Sequence, residues 1–266
     1  RVSERRFALG VQIIEGVADP IDVTSGYARV AESALQVLTK ATITEFEVQY
    51  GKVPGAELVI LALGRLAGQA LTHASDLDLV FLFTGDFKAE SDGAKPIGAT
   101  TYFNRLAQRV VAALSVPTAA GPLYEVDTRL RPSGTQGPLA VSIDSFAQYQ
   151  REDAWTWEHM ALARARPIYG SDSACATVQR IIDEVLMRPR DMAALVADAV
   201  KMRGDMAQHK PAASAFDVKL VDGGLVDCEF AIHVIQLGHH VGFDPRLEVA
   251  AAALGEAGLL SPDIVE

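Results

Sequence analysis

The sequence has little cysteine, no long apolar segment and a shortage of positive charge. Only two cysteines occur in 266 residues, Cys175 and Cys228, so we expect two reduced, buried thiols in a cytoplasmic protein rather than a disulfide framework. No apolar run is long enough to cross a bilayer, and no signal peptide is recognisable. The net charge of −10 argues against a nucleic-acid or anionic-membrane surface.

Apolar residues are plentiful enough for a sizeable core. They make up 49% of the chain, and the length suits one large domain or two small ones. The chain begins at Arg1 rather than methionine and stops at Glu266 without a recognisable terminus. We therefore expect it to be a piece of a longer protein.

The first 150 residues mix helix and strand patterns. Residues 1–22 leave a short strand and a helix both open, and helical spacing then begins at Thr24 or Ser25 and runs to Tyr50. A polar loop is predicted at 85–98, and a second helix from Thr100 or Thr101 to Val116. Apolar runs predict strands at 57–63, 79–83, 122–127 and 139–142.

From Ile143 onward the strand pattern disappears. Helical patterns cover 145–168, 174–187, 191–208, 225–241 and 247–261, and 216–224 is predicted to be a short extended piece ending in a glycine turn. The prediction is an α+β domain with a small mixed sheet over 1–150 and an all-helical domain, expected to be truncated, over 151–266.

Two aspartates stand at the start of the most apolar strand, in the stretch GRLAGQALTHASDLDLVFLFT that begins at Gly64. Asp76 and Asp78 share one face of the strand because side chains alternate along it. Two such carboxylates repel each other and lose hydration, so they favour a cation, and Mg²⁺ shared with a phosphate suits them. The alternative is an aspartate pair in a solvated part of the strand.

A third acid, Asp127, is followed by Arg129 and Arg131. If the segment is extended, these three side chains lie on the same face because side chains alternate along a strand. Arginine binds phosphate through a planar fork of donors. The alternative is a structural salt bridge between Asp127 and one of these arginines. A metal held by three acids and flanked by arginines is typical of phosphoryl or nucleotidyl transfer. We therefore expect the three acids on adjacent strands at one edge of a cleft, with the helical part as the other wall.

Four stretches together closely resemble the glutamine synthetase adenylyltransferase family: GRLAGQALTHASDLDLVFLF, LYEVDTRLRPSGTQGPLAVS, YQREDAWTWEHMALARARP and FDVKLVDGGLVDCEF. The resemblance implies a nucleotidyltransferase domain of the DNA polymerase β type followed by helices. It also implies a cytoplasmic regulator of nitrogen assimilation that uses ATP and Mg²⁺. Glutamine and the PII signalling protein would act as effectors of the whole enzyme.

RLRPSG, AWTWEH and VDGGLVDCEF resemble the C-terminal, adenylylating half of that family. This implies transfer of AMP from ATP to a tyrosine hydroxyl of glutamine synthetase, with release of pyrophosphate. Three alternatives stay open. The chain could be the deadenylylating half, which uses phosphate as the nucleophile, or another nucleotidyltransferase such as a PII uridylyltransferase or an aminoglycoside-modifying enzyme. It could also be a catalytically silent interaction module.

The resemblance implies a role for each motif residue. The catalytic acids and ligands of two Mg²⁺ ions would be Asp76, Asp78 and Asp127, and the nucleotide would be bound by Gly64, Arg65, Gly68, Ser75, Arg129 and Arg131. Family members usually have Gly-Lys-Leu-Gly-Gly-x-Glu-Leu where this chain has GRLAGQAL, so Arg65, Ala67 and Ala70 put nucleotide affinity in doubt.

Several polar residues of the helical part have no chemical role in this interpretation. Lys219, Asp222, Asp227 and Glu229 lie in a family motif, and acids in the first turn of a helix are commonly structural. The remaining side chains are expected to be structural, with the two arginines in salt bridges at the edge of the core: Trp155, Trp157, His159, His239, His240, Arg164 and Arg166.

Overall fold

The computed structural model of the chain describes residues 1–119 and 121–261. The strands are β1 (Leu58–Ala62), β2 (Leu77–Phe83), β3 (Val126–Asp127), β4 (Ala140–Ser142) and β5 (Arg166–Tyr169). The helices of this part of the chain are α1 (Val2–Ile14), α2 (Pro20–Tyr50), α3 (Gly64–Ala67), α4 (Ala99–Ser115), α5 (Ile143–Glu152), α6 (Thr156–Leu162), α7 (Asp172–Leu186), α8 (Met192–His209), α9 (Leu225–His239) and α10 (Leu247–Glu256).

The strands form one small mixed sheet with β2 near its centre. β1 pairs antiparallel with β2 on one side and with β5 on the other. The free side of β2 pairs in parallel with two short strands, β3 at its beginning and β4 at its end. The predicted α+β class with a small mixed sheet is confirmed.

The apolar run of β2 is covered on both faces of the sheet. Leu79, Phe81 and Phe83 belong to a core cluster shared with α2 and α4, where Phe83 stacks on Phe103 with ring centroids 4.6 Å apart. Val80 and Leu82 belong to a second cluster shared with α5 and α7. Every residue of β2 except Asp78 is buried, as a continuous apolar run predicts. The sheet therefore fixes the position of Asp78 at the beginning of this strand.

Helices account for the N-terminal segment that the sequence left open. α1 covers Val2–Ile14, and α2 begins at Pro20 rather than at the predicted Thr24 or Ser25. Asp19 caps α2 by accepting a hydrogen bond of 2.7 Å from the N–H of Ile21. Proline at the first helical position explains the earlier start, because its fixed φ and missing N–H are compatible with a first turn.

The prediction that strands end before residue 143 was wrong. The segment Arg166–Tyr169 forms β5, and the single helix predicted over 145–168 is divided into α5 and α6. Pro167 interrupts the helical pattern, and it is tolerated in β5 because β5 lies at the edge of the sheet. The segment becomes a strand because it pairs with the free edge of β1, and no local sequence pattern reveals that edge. The division of domains at residue 150 stays a prediction.

Three side chains are less buried than predicted. Both cysteines are free, but Cys175 is only half-buried and Cys228 is exposed. Trp155, expected as a core or interface residue, is 69% exposed and so does not belong to the core. Each lies on a helix or helix end, where the side that faces the core depends on neighbouring elements. None of the helices in 1–119 and 121–261 is long and apolar enough to cross a membrane.

Candidate active site

Three carboxylates meet where β2 and β3 begin to pair. The parallel register sets Asp78 of β2 beside Asp127 of β3, and Asp76 lies just before β2. One oxygen from each carboxylate lies within 4.8 Å of the other two. The predicted clustering of the three acids is confirmed, with Asp78 and Asp127 on adjacent strands and Asp76 in the turn before β2.

The cluster has the geometry and charge of a cation site. Burial and, to a smaller extent, the negative charges of Asp76 and Asp127 together raise the pKa of Asp78 to about 6. Lys219 and Arg129 oppose this rise. Ligands of an octahedral Mg²⁺ lie about 2.1 Å from the ion, and therefore about 3–4 Å from one another, so small side-chain rotations would suffice. Three carboxylates that repel one another fit a divalent cation.

Arg129 holds the third carboxylate. Its Nε donates to both oxygens of Asp127, at 3.0 and 2.8 Å, its Nη2 donates to Oδ2, and its backbone N–H donates to Oδ1 at 2.8 Å. These bonds lower the pKa of Asp127 despite its partial burial. The structural salt bridge that the sequence left open is therefore present, and it keeps Asp127 ionised and oriented.

Arg131 does not share a face with Asp127, so the prediction of one extended segment was wrong. β3 ends at Asp127 and the chain enters a turn in which Ser133 has a φ of 61°. Arg131 donates to the carbonyl of Thr128 at 2.8 Å and to that of Gly137 at 3.4 Å. In this structure Arg131 closes the turn after β3, because the turn presents carbonyls within its reach.

The glycine turn after β1 borders the acids directly. Gly64 has a φ of 54°, and a Cβ there would stand 2.9 Å from Oδ2 of Asp78. Ser75 closes the turn before Asp76, since its Oγ accepts from the N–H of Thr72 at 3.0 Å. The N–H of Gly68 already donates to the carbonyl of Gly64 at 3.0 Å, so Gly68 is not a free donor here.

Gly68 permits close packing between this turn and the helical part. A Cβ at Gly68 would stand 2.5 Å from the carbonyl oxygen of Pro245 and 2.7 Å from Nη2 of Arg164. Ala67, a departure from the family pattern, is 2% exposed and belongs to the core cluster with α2 and α4. Its methyl group therefore packs beneath the turn.

The helical part forms the opposite wall, as predicted. A cavity of about 470 Å³ is lined by Gly64 and Asp78 on one side and by the helical part on the other, with Trp157, Arg164, Met202, Lys210, Lys219 and Glu229 among the lining residues. A larger cavity of about 880 Å³ lies between α2, α4 and β5, and no member of the acid cluster lines it. We place the chemistry in the smaller cavity because Asp78 lines it.

Several polar residues that the sequence left without a chemical role have partners within the fold. Arg164 donates to Glu229 at 2.8 Å and Arg166 donates to Glu32, which confirms the expected salt bridges. His159 is buried and contacts the carbonyl of Gln150 at 2.9 Å. These contacts brace the wall and take no part in the acid cluster.

One residue that helps to position the acids, Arg6, was not predicted from the sequence. Arg6 of α1 donates to the carbonyl of Leu123 at 2.7 Å and to that of His73, and its guanidinium lies 4.8 Å from the ring centroid of Tyr124. It thereby ties the loop before Asp76 to the segment before β3. Arginines near the N-terminus gave no signal of this role, because the contact joins segments far apart in the chain.

The fold and the site define a nucleotidyltransferase-type domain followed by a helical region. The profile of the family described as "Glutamate-ammonia ligase adenylyltransferase" matches residues 3–181. The chain belongs to this family.

Curated relatives are similar over nearly all of the chain. The sequence is 42% identical over 260 residues to a bifunctional glutamine synthetase adenylyltransferase/adenylyl-removing enzyme of Mesorhizobium japonicum, covering 97% of this chain and 26% of that protein. It is 44% identical over 245 residues to the enzyme of the same name from Brucella suis biovar 1, covering 92% of this chain and 25% of that protein. The chain thus spans about a quarter of the length of these relatives.

Without a metal ion, the electrostatic strain at Asp78 should make the stability of the protein depend on pH. Its pKa of about 6 in the folded protein exceeds the ordinary 3.8, so the folded state holds this proton more tightly than the unfolded chain. The free energy of unfolding of the metal-free protein should fall as pH rises from about 4 to 6 and then level off, a loss of about 2 kcal/mol.

Urea unfolding in EDTA at pH 4 and pH 7.5 measures this loss. Asp78→Asn lacks the titrating group, so its stability advantage over the wild type should grow by about 2 kcal/mol between the two pH values. An advantage that does not change with pH would contradict the prediction.

Proposed function

We propose that this chain transfers AMP from ATP to a tyrosine hydroxyl of glutamine synthetase and releases pyrophosphate. The observation that carries the proposal is the cluster of three carboxylates within 4.8 Å at the β2–β3 junction, in a chain of the glutamate-ammonia ligase adenylyltransferase family. The relatives' printed name covers both attachment and removal of AMP. RLRPSG, AWTWEH and VDGGLVDCEF favour attachment through their resemblance to the adenylylating half.

Asp76, Asp78 and Asp127 would hold Mg²⁺, which supplies positive charge to the phosphates as negative charge shifts toward the leaving group. Arg129 keeps Asp127 ionised and oriented for this task. The tyrosine oxygen forms a bond to the α-phosphorus while the bond from that phosphorus to the bridging oxygen breaks. Pyrophosphate leaves with the electron pair, and the phenolic proton passes to solvent.

The nucleotide would lie along the glycine turn. Gly64 leaves space beside Asp78 that a side chain would fill. Arg65, Gly68, Ser75 and Arg131 stand in or beside the turns that frame the acids, and Arg65 offers charge to the phosphates. Within the longer protein, we propose that PII and glutamine act as effectors and that the enzyme works in the cytoplasm.

Two parallel assays determine the direction of the chemistry. In the first, labelled ATP and unmodified glutamine synthetase are incubated with the chain and Mg²⁺, and we expect label on the synthetase. In the second, AMP-modified synthetase is incubated with phosphate, and we expect no ADP.

The other outcomes select the alternatives. ADP in the second assay without label in the first would identify the phosphorolytic, deadenylylating half. Label transferred from UTP to PII, but not from ATP to the synthetase, would identify a uridylyltransferase. Failure to bind Mg-ATP in calorimetry would identify a catalytically silent module.

A further inference from the structure

The segment 210–224, between α8 and α9, carries two lysines to the cavity of the acids, Lys210 and Lys219, and Lys219 is the one whose charge acts on Asp78. The predicted extended piece at 216–224 was wrong, because this segment consists of successive turns. Lys219 lines the cavity that Gly64 and Asp78 line from the other side. Its ammonium group is close enough to influence Asp78 electrostatically. The helical part thus delivers a positive charge opposite the acid cluster.

Side-chain contacts hold the turn in one conformation. Asp217 accepts from the N–H groups of Ala213 and Leu220 at 3.1 and 3.2 Å. Asp227 accepts from the N–H of Gly223 at 2.6 Å and is paired with Arg203, which donates to the carbonyl of Leu220 at 3.0 Å. Residues on both sides of Lys219 are therefore fixed.

The glycine pair is also required by the turn. Gly223 has a φ of 76°. A Cβ at Gly224 would stand 2.7 Å from the carbonyl oxygen of Val218 and 2.8 Å from that of Val221. Only glycine allows the backbone to close this tightly around Lys219. The motif VKLVDGGLVDCEF thus contains one lysine and the residues that fix its position.

Three neighbouring arginines are already engaged, whereas Lys219 is not. Arg129 is paired with Asp127, Arg164 with Glu229 and Arg203 with Asp227. Within the described part of the chain, the Lys219 ammonium makes no hydrogen bond and no ion pair. A fixed lysine without a protein partner, facing a cavity lined by a metal-binding acid, is suited to a ligand that carries several negative charges.

We propose that Lys219 binds the β- and γ-phosphates of ATP, across the cavity from the acids that would hold Mg²⁺. This inference rests on the proposed function. In this arrangement, the acids would hold the metal and the glycine turn would contact the AMP group that is transferred. Lys219 would contact the pyrophosphate that leaves. Lysine suits this role because its compact charge follows phosphate oxygens as they separate from the α-phosphorus. Asp217, Asp227 and Gly224 are positioning residues that act through the turn.

The test compares Lys219→Ala with the wild-type 266-residue chain. Calorimetry measures the affinity for ATP and for AMP, each with Mg²⁺, and labelled-AMP transfer gives KM for ATP and kcat. We expect the affinity for ATP to fall about 10- to 100-fold, the range of a lost charge-assisted hydrogen bond. The affinity for AMP should be unchanged, because AMP lacks the phosphates that Lys219 would bind.

Two further variants complete the design. Lys219→Arg should regain part of the ATP affinity, because it restores the charge in a different shape. Lys95→Ala removes an exposed lysine from the loop 85–98, away from the cavity, and should leave both affinities unchanged. Asp227→Asn loosens the turn, so it should weaken ATP binding and leave AMP binding intact.

The outcomes separate this inference from the proposed function. A wild-type chain that binds no Mg-ATP would overturn both. Equal ATP affinity in the wild type and Lys219→Ala would overturn only the role of the lysine. An equal loss of ATP and AMP affinity would also overturn it, because the lysine would then act by bracing Asp78 and the metal.

Discussion

Asp78→Asn should reduce AMP transfer by at least about 10³-fold while leaving the protein folded. Asp78 is the most buried of the three acids, and its carboxylate lies beside Asp127 in the strand register. Asparagine keeps the shape but removes a charged metal ligand, and stabilisation of developing charge by a metal is worth several kcal/mol. Each 1.36 kcal/mol corresponds to a tenfold change in rate.

A matched variant separates loss of the ligand from a general effect of charge. Asp86→Asn makes the same substitution in the exposed loop after the opposite end of β2, and it should transfer AMP at the wild-type rate. Circular dichroism and urea unfolding verify that both variants are folded. Transfer by a folded Asp78→Asn protein at the wild-type rate would rule out the proposed metal site.

Glu229→Ala should lower the free energy of unfolding by about 2–3 kcal/mol. Arg164 is 7% exposed and its Nη1 donates to Glu229 at 2.8 Å. Removal of Glu229 leaves a buried guanidinium with one carbonyl partner, Pro245. An unpaired buried charge costs about 3–5 kcal/mol, and the 31% exposure of Glu229 reduces this value through solvent screening.

Glu184→Ala is the matched control for this prediction. It removes a carboxylate that accepts from Arg151 at 3.0 Å, but both side chains are about half exposed. An exposed pair of this kind contributes about 0–1 kcal/mol. If urea unfolding showed equal losses for Glu229→Ala and Glu184→Ala, the buried pair would not be a structural link between α9 and the segment before β5.

Local sequence predicted the features that neighbouring residues control. The continuous apolar run of β2 predicted a strand covered on both faces, and Asp76 and Asp78 share its start because side chains alternate along a strand. The helix α4 matched its predicted face because Phe103, Leu106 and Val110 recur at helical spacing. Such patterns predict the folded structure correctly because each depends on contacts within a few residues.

Other features depended on partners that lie far away in the sequence. The conversion of Arg166–Tyr169 into a strand required the free edge of β1. The exposure of Trp155 depends on which surfaces remain uncovered after packing. Resemblance to a family marked Lys219 as part of a motif, but only the cavity shows what it faces.

By itself, the sequence determined the class of fold, the apolar strand and the two aspartates that begin it, because alternation and apolar periodicity are local properties. The sequence also predicted that Asp127 would join them, whereas the tertiary structure alone decided that Asp78 and Asp127 would be register partners and that Lys219 would line the same cavity as Asp78. The register of two parallel strands, the closure of a glycine turn and the packing of helices against the sheet are long-range choices. Their free energy comes from burial and pairing between distant segments, which no short stretch of sequence contains.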